Sequence, residues 1–170
     1  MAGYGLPKEQ RLSVVLQNSL EVEGHKIEII NGSVSGSTSA GGLNIAEWTL
    51  SQSNIDLMIL CLGANDMLRG INPKETKNNL EEIIQIAKNK KIKIIITGMI
   101  APTSYGSEYK ESFDKIFFNL SKEYNLQLIP FLLEGVAQKP EFNLSDGMHP
   151  NDQGTIIIGN TLKKAILKNL

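Results

Sequence analysis

The chain has 170 residues, 41% of them apolar and 21% charged, with a formal net charge of −1. That length suits one domain, residues 1–170, able to bury a full core. The balanced charge gives no general attraction to nucleic acid or to an anionic membrane.

In chain order, a glycine-rich turn over residues 2–7 leads into a helix predicted over 7–22, with proline near its first turn and Gly24 after its end. The run 26–30 is rich in isoleucine and predicts a strand. The runs 55–62, 92–97 and 126–130 do the same, and their near-continuous apolar character suits strands buried on both faces of a parallel sheet. Helices are predicted between them over 43–52, 73–90 and Ser107–Tyr124, and a last one over 151–170. Leu80, Ile83, Ile84 and Ile86 share a face of the second of these. Phe113, Ile116, Phe117 and Leu120 share a face of the third. Strand alternating with helix predicts an α/β fold built from right-handed crossovers. No run approaches the roughly 18 apolar residues of a transmembrane helix. The first residues carry neither the basic start nor the apolar run of a secretory signal. The one cysteine, Cys61, has no internal disulfide partner and falls in a run read as a buried strand, where apolar surroundings favour an inert thiol. There is no metal-ligand spacing of His, Cys and Asp, and no glycine-rich nucleotide-binding motif.

Three short blocks carry chemistry. In Asp146-Gly147-Met148-His149-Pro150 the glycine lets the backbone turn sharply, so both side chains can point the same way. A carboxylate accepting from the imidazole Nδ1–H fixes the tautomer and leaves Nε2 as a general base. The plainer reading is a surface Asp beside an unrelated His. His25, the other histidine, stands at a strand start and reads as structural. Gly63-Ala64-Asn65-Asp66 follows the run 55–62, at the carboxyl end of a strand, where open α/β sheets border their ligand crevice. An Asn amide there can donate to a developing oxyanion, although the same four residues also make a good turn. Residues 31–38, Asn-Gly-Ser-Val-Ser-Gly-Ser-Thr, follow the run 26–30. Their glycines allow close approach of a backbone N–H to a substrate oxygen, and their composition also suits a plain loop. None of their serines lies in a strand–turn–helix setting, so none is read as a nucleophile.

These blocks, in this order, resemble the SGNH/GDSL hydrolase family, in its arylesterase, acyl-CoA thioesterase I and lysophospholipase branch. Ala2-Gly3-Tyr4-Gly5-Leu6-Pro7 matches the continuation that follows the family's G-D-S-L block, and the block itself is not in this sequence. Asn31 to Thr38 matches the second block, with Gly36 at the oxyanion glycine. Gly63 to Asp66 matches the third, with Asn65 as the oxyanion asparagine. Asp146 to Pro150 matches the last. Tyr105-Gly106 with Tyr109, and Leu128-Ile129-Pro130-Phe131, resemble the branch. The resemblance implies a three-layer α/β/α fold with a flavodoxin-like parallel sheet of five strands. The first, central strand would lie between 26–30 and 55–62 and is absent from this chain, which leaves an open slot there and a fragment expected to be unstable.

It also implies a serine esterase acting on small acyl esters or thioesters through an acyl-enzyme. The nucleophile is expected upstream of Met1, His149 is the base, Asp146 orients it, and Gly36 and Asn65 hold the oxyanion. No cofactor or metal is implied, no nucleic-acid partner and no stable membrane insertion. The resemblance does not fix the oligomeric state. An upstream signal peptide would make the protein periplasmic, and otherwise it is cytoplasmic. Two other readings stand beside this one. The first is a catalytically dead remnant or acyl-ligand-binding protein. The second is a flavodoxin- or receiver-like binding module, which would not need the Asp146–His149 pair.

Overall fold

The computed structural model describes residues 2–52 and 54–170, so Met1 lies outside the described residues. The elements in chain order are α1 (Leu12–Val22), α2 (Ser39–Thr49), β1 (Leu57–Leu60), α3 (Ala64–Leu68), α4 (Pro73–Asn89), β2 (Lys93–Thr97), α5 (Ser107–Tyr124), β3 (Gln127–Ile129) and α6 (Asp152–Leu167). They fall into two compact units. One is Met1–Ser35 with Leu132–Leu170, and the other is Gly36–Phe131.

The Gly36–Phe131 unit holds a parallel sheet in the order β1-β2-β3, with Leu57 opposite Lys93 and Ile95 opposite Gln127. Parallel strands need crossover connections, and the helices between them supply these. The middle strand carries buried Ile94, Ile95, Ile96 and Thr97 in succession, as a strand covered on both faces should. α4 begins as its sequence suggests. Asn72 caps it by accepting from the Lys74 N–H at 2.9 Å, and Pro73 fills the first position, where no N–H is needed. Its buried residues Leu80, Ile83, Ile84 and Ala87 recur at helical spacing. α5 buries Phe113, Ile116, Phe117 and Leu120, and ends at Asn125, whose left-handed φ of 52° stops the helix. These side chains join Ala46, Leu60 and, from β2, Ile94 and Ile96 in one apolar cluster. Each fully buried Leu, Ile or Phe contributes about 1.5–3 kcal/mol. Where β2 and β3 end, the Gly98 N–H donates to Ile129 O at 2.8 Å, and a Cβ on Gly98 would collide with the Pro130 carbonyl.

The other unit is built on α1 and α6. α1 buries Leu12, Leu16 and Leu20, one per turn, and α6 buries Ile158, Leu162, Ala165 and Ile166. The helices meet beside Gly159, where a Cβ would make ordinary contacts, 3.6 Å from Val15 and 3.8 Å from Leu12.

Three expectations are corrected. Residues 26–30 are not a strand. No strand pairs with them among the described residues. Instead the side chain of Gln17 takes the ladder's place, accepting from Ile29 N at 2.7 Å and donating to Ile27 O. The paired sheet among the described residues therefore has three strands. The helix expected over 7–22 is broken at Arg11, whose extended ψ of 146° separates a single 3₁₀ turn, Lys8–Gln10, from α1. α2 starts at Ser39 rather than near Leu43, because Thr38 caps it by accepting from Gly41 N. No helix among the described residues is long and apolar enough to cross a membrane.

Candidate active site

The Asp146–His149 pair is made by one short loop. Leu144 N donates to His149 O at 2.7 Å and Gly147 N donates to Leu144 O at 2.9 Å, which draws the ends together. Gly147 turns the chain with a φ of 68°, a conformation other residues resist. Oδ1 of Asp146 accepts from the Met148 and His149 backbone N–H groups, both at 2.9 Å, which orients the carboxylate. Oδ2 is thereby aimed at the imidazole and lies 2.7 Å from Nδ1 of His149. The two backbone N–H bonds, His149 first, and then the imidazole hold the Asp146 carboxyl at about 2 instead of its ordinary 3.8. An ionised carboxylate at this distance favours the Nδ1–H tautomer, the one that leaves the lone pair on Nε2. The side chains are 42% and 40% exposed for His149 and Asp146, so the base is open to a reactant. The ring of Tyr4 lies against the imidazole, with centroids 4.6 Å apart. Pro150 pairs with Asn143 in an isolated antiparallel bridge, and Asn143 anchors the loop by donating to Val136 O and Lys139 O at 2.8 and 2.7 Å. Asn151 then caps α6 through Gly154 N.

Gly36 and Asn65 belong to the Gly36–Phe131 unit. Gly63, with φ of 109°, turns β1 into α3, so Asn65 stands on a helix of one turn rather than in the plain turn that Gly, Asn and Asp also allow. Its Nδ2 donates to Ser37 O at 2.9 Å. An amide has two N–H donors, so one stays available. Gly36 has φ of 75°, and its carbonyl accepts from Arg69 at 2.9 Å. Tyr105 and Tyr109 secure the end of α3 by donating to Leu68 O and Ile71 O at 3.1 and 3.0 Å.

Asp66 was not singled out from the sequence. It is fully buried and accepts from Ser39 N at 2.8 Å, from the Ser39 hydroxyl, and from the Thr76 hydroxyl at 3.2 Å. These partners are 27 and 10 residues away in the chain, so no local pattern marks them. Tyr4 entered only as part of the opening motif. His25 is half-buried beside Gln17 and Glu21, in a recess that includes none of the four candidate site residues. Cys61 is partly exposed just beyond β1 rather than inside it. No three His, Cys, Asp or Glu residues are grouped to hold a metal ion among the described residues.

The family model described as GDSL-like Lipase/Acylhydrolase family matches residues 1–155. An arylesterase of Vibrio mimicus is 35% identical over 169 residues, which cover 99% of this chain and 84% of the relative. The thioesterase 1/protease 1/lysophospholipase L1 of Escherichia coli K12 is 32% identical over 165 residues, 97% of this chain and 78% of the relative. Among solved structures, the psychrotrophic esterase EstA from Pseudoalteromonas sp. superposes with a TM-score of 0.93 at 30% identity, over 98% of this chain and 91% of that one.

Proposed function

This chain belongs to the GDSL-like lipase/acylhydrolase family, its relatives make it a carboxylic ester hydrolase, and we propose that it cleaves small acyl esters or thioesters with His149 as base and Asp146 as its orienting partner. The observation that carries this reading is the 2.7 Å approach of Asp146 Oδ2 to His149 Nδ1, with Nε2 left free. A serine hydroxyl attacks the substrate carbonyl as Nε2 takes its proton. The tetrahedral intermediate holds its negative oxygen against the Gly36 N–H and the free N–H of Asn65. Collapse expels the alcohol or thiol, which receives the proton from the imidazolium. Water repeats the cycle on the acyl-serine. The attacking hydroxyl in this reading is that of a Gly-Asp-Ser-Leu block, as the family resemblance implies.

The test compares two polypeptides on p-nitrophenyl acetate. The 170-residue chain should stay at background, since the oxyanion donors and binding alone give only on the order of 10³–10⁴ over water. The same chain with a Gly-Asp-Ser-Leu block joined ahead of Ala2 should turn over, and His149→Ala should abolish that turnover. Turnover by the 170-residue chain that vanished with His149→Ala would mean another serine serves. Silence of the serine-bearing chain would sink the reading altogether.

A further inference from the structure

We propose that Asp66 is a positioning residue that holds Gly36 and Asn65 in one rigid frame, an inference that rests on their reading as oxyanion donors. Residues 36–39 are tied at three successive points to α3 and the residue after it. Gly36 O accepts from Arg69 at 2.9 Å. Ser37 O accepts from Asn65 Nδ2 at 2.9 Å. Ser39 gives both its N–H, at 2.8 Å, and its hydroxyl to Asp66.

The three ties are not equal. Arg69 and Gly36 are exposed, so water can replace their bond. Asp66 and Ser39 are both fully buried, where an unpaired carboxylate oxygen would be costly and no water competes. The Thr76 hydroxyl donates to Oδ1 of Asp66, and Asn79 Nδ2 donates to Ser39 Oγ at 2.9 Å, so α4 fixes the same two side chains from a second direction. Every buried polar side-chain atom among the described residues has a partner, this network included.

The consequence reaches both donors. The bond to Ser37 O sets the rotamer of Asn65, and hence the direction of its second N–H. That direction is only as fixed as Ser37, two residues before Ser39. Gly36 has no side chain to restrain it, so its φ of 75° depends on the same anchorage. Asp66 touches no reacting atom in this scheme and acts through Ser39 alone.

The experiment uses the ¹⁵N-labelled 170-residue chain with Asp66→Asn, Ser39→Ala and Thr76→Val. The {¹H}–¹⁵N heteronuclear NOE is read at Gly36, Ser37 and the Asn65 side-chain amide, with Ile94–Ile96 of β2 as internal control. The expected result is a fall at the three loop positions, largest for Asp66→Asn, with β2 unchanged. No change there, or a fall of equal size in β2, would show a purely structural residue and overturn the proposal. If Asp66→Asn does not fold, Ser39→Ala and Thr76→Val remove one bond each and decide by the same pattern. In the serine-bearing chain, Asp66→Asn should lower kcat about 10- to 100-fold at constant KM, the range for a misplaced group. Asn65→Ala is the control. If it lowers kcat and Asp66→Asn does not, the positioning role fails and the esterase mechanism stands. If Asn65→Ala itself is silent, the oxyanion reading is what fails.

Discussion

The phenol ring of Tyr4 lies over the imidazole of His149, with ring centroids 4.6 Å apart and planes tilted by 36°. Tyr4 is 59% exposed, so the contact adds little to burial. Aromatic pairs contribute about 0.5–1.5 kcal/mol beyond area, and this one belongs at the lower end. Its effect is to restrict rotation of the imidazole. Tyr4→Ala should move the His149 ring-proton resonances by removing a ring current, and Tyr4→Phe should leave them in place. Unchanged resonances in Tyr4→Ala would mean that the rings do not meet in solution.

Asp146 makes stability depend on pH in a defined direction. Its carboxyl is held at about 2 against an ordinary 3.8, so the folded state binds the proton less readily than the unfolded chain. The stabilisation is complete above the ordinary value and disappears as pH falls through the folded one. Urea midpoints of the wild type and Asp146→Asn should therefore converge as pH falls from 3.8 to about 2. Taking the difference between the two proteins cancels the other carboxylates, and curves that ran parallel through that window would contradict the assignment.

Asn65→Ala in the serine-bearing chain should lower kcat by roughly 10²–10³ with KM held, because the donor acts on charge that appears only in the transition state. Steady-state kinetics on p-nitrophenyl acetate separate the outcomes. A raised KM with kcat intact would make Asn65 a binding residue for the ground state.

Gly63→Ala should destabilise the chain by about 1–3 kcal/mol, the cost of a side chain in a sparsely populated backbone region. Gly63 has φ of 109° and ψ of −24°, and a Cβ there would lie 3.0 Å from Cζ of Phe117. The measurement is equilibrium urea unfolding. A midpoint equal to that of wild type would show that the turn into α3 relaxes freely.

The sequence was most legible where the signal is local. The apolar spacing of 73–90 marked α4, which runs Pro73–Asn89, and that of α5 marked a helix whose ends agree with the structure at Ser107 and Tyr124. Asp146 and His149 are three residues apart, so a single loop could be reasoned through. The segment 26–30 misled because an apolar run states what wants burial, not what pairs with it. Whether Ile27 and Ile29 meet a strand or the Gln17 side chain is decided 10 to 12 residues away. Asp66 was hidden in the same way. As a residue of a Gly-Ala-Asn-Asp turn it looks like a surface turn former, and only Ser39 and Thr76, brought in by the fold, make it a buried hub.

The loop that pairs Asp146 with His149 has a consequence for the order in which the molecule assembles. Every bond that aims the imidazole, from Leu144 to His149, closes within a handful of residues. The bonds that aim Asn65 and secure Ser39 span 28 and 27 residues and close only after β1 has carried the chain across. Short loops close early and at small entropic cost, long ones late and at greater cost. The Asp146–His149 contact can thus form in a nascent or partly opened chain, whereas the ties of Asn65 and Ser39 are a late product of folding. Conditions that loosen the protein should break the long-range ties of Asn65 and Ser39 first, leaving His149 still held against Asp146 by its own loop.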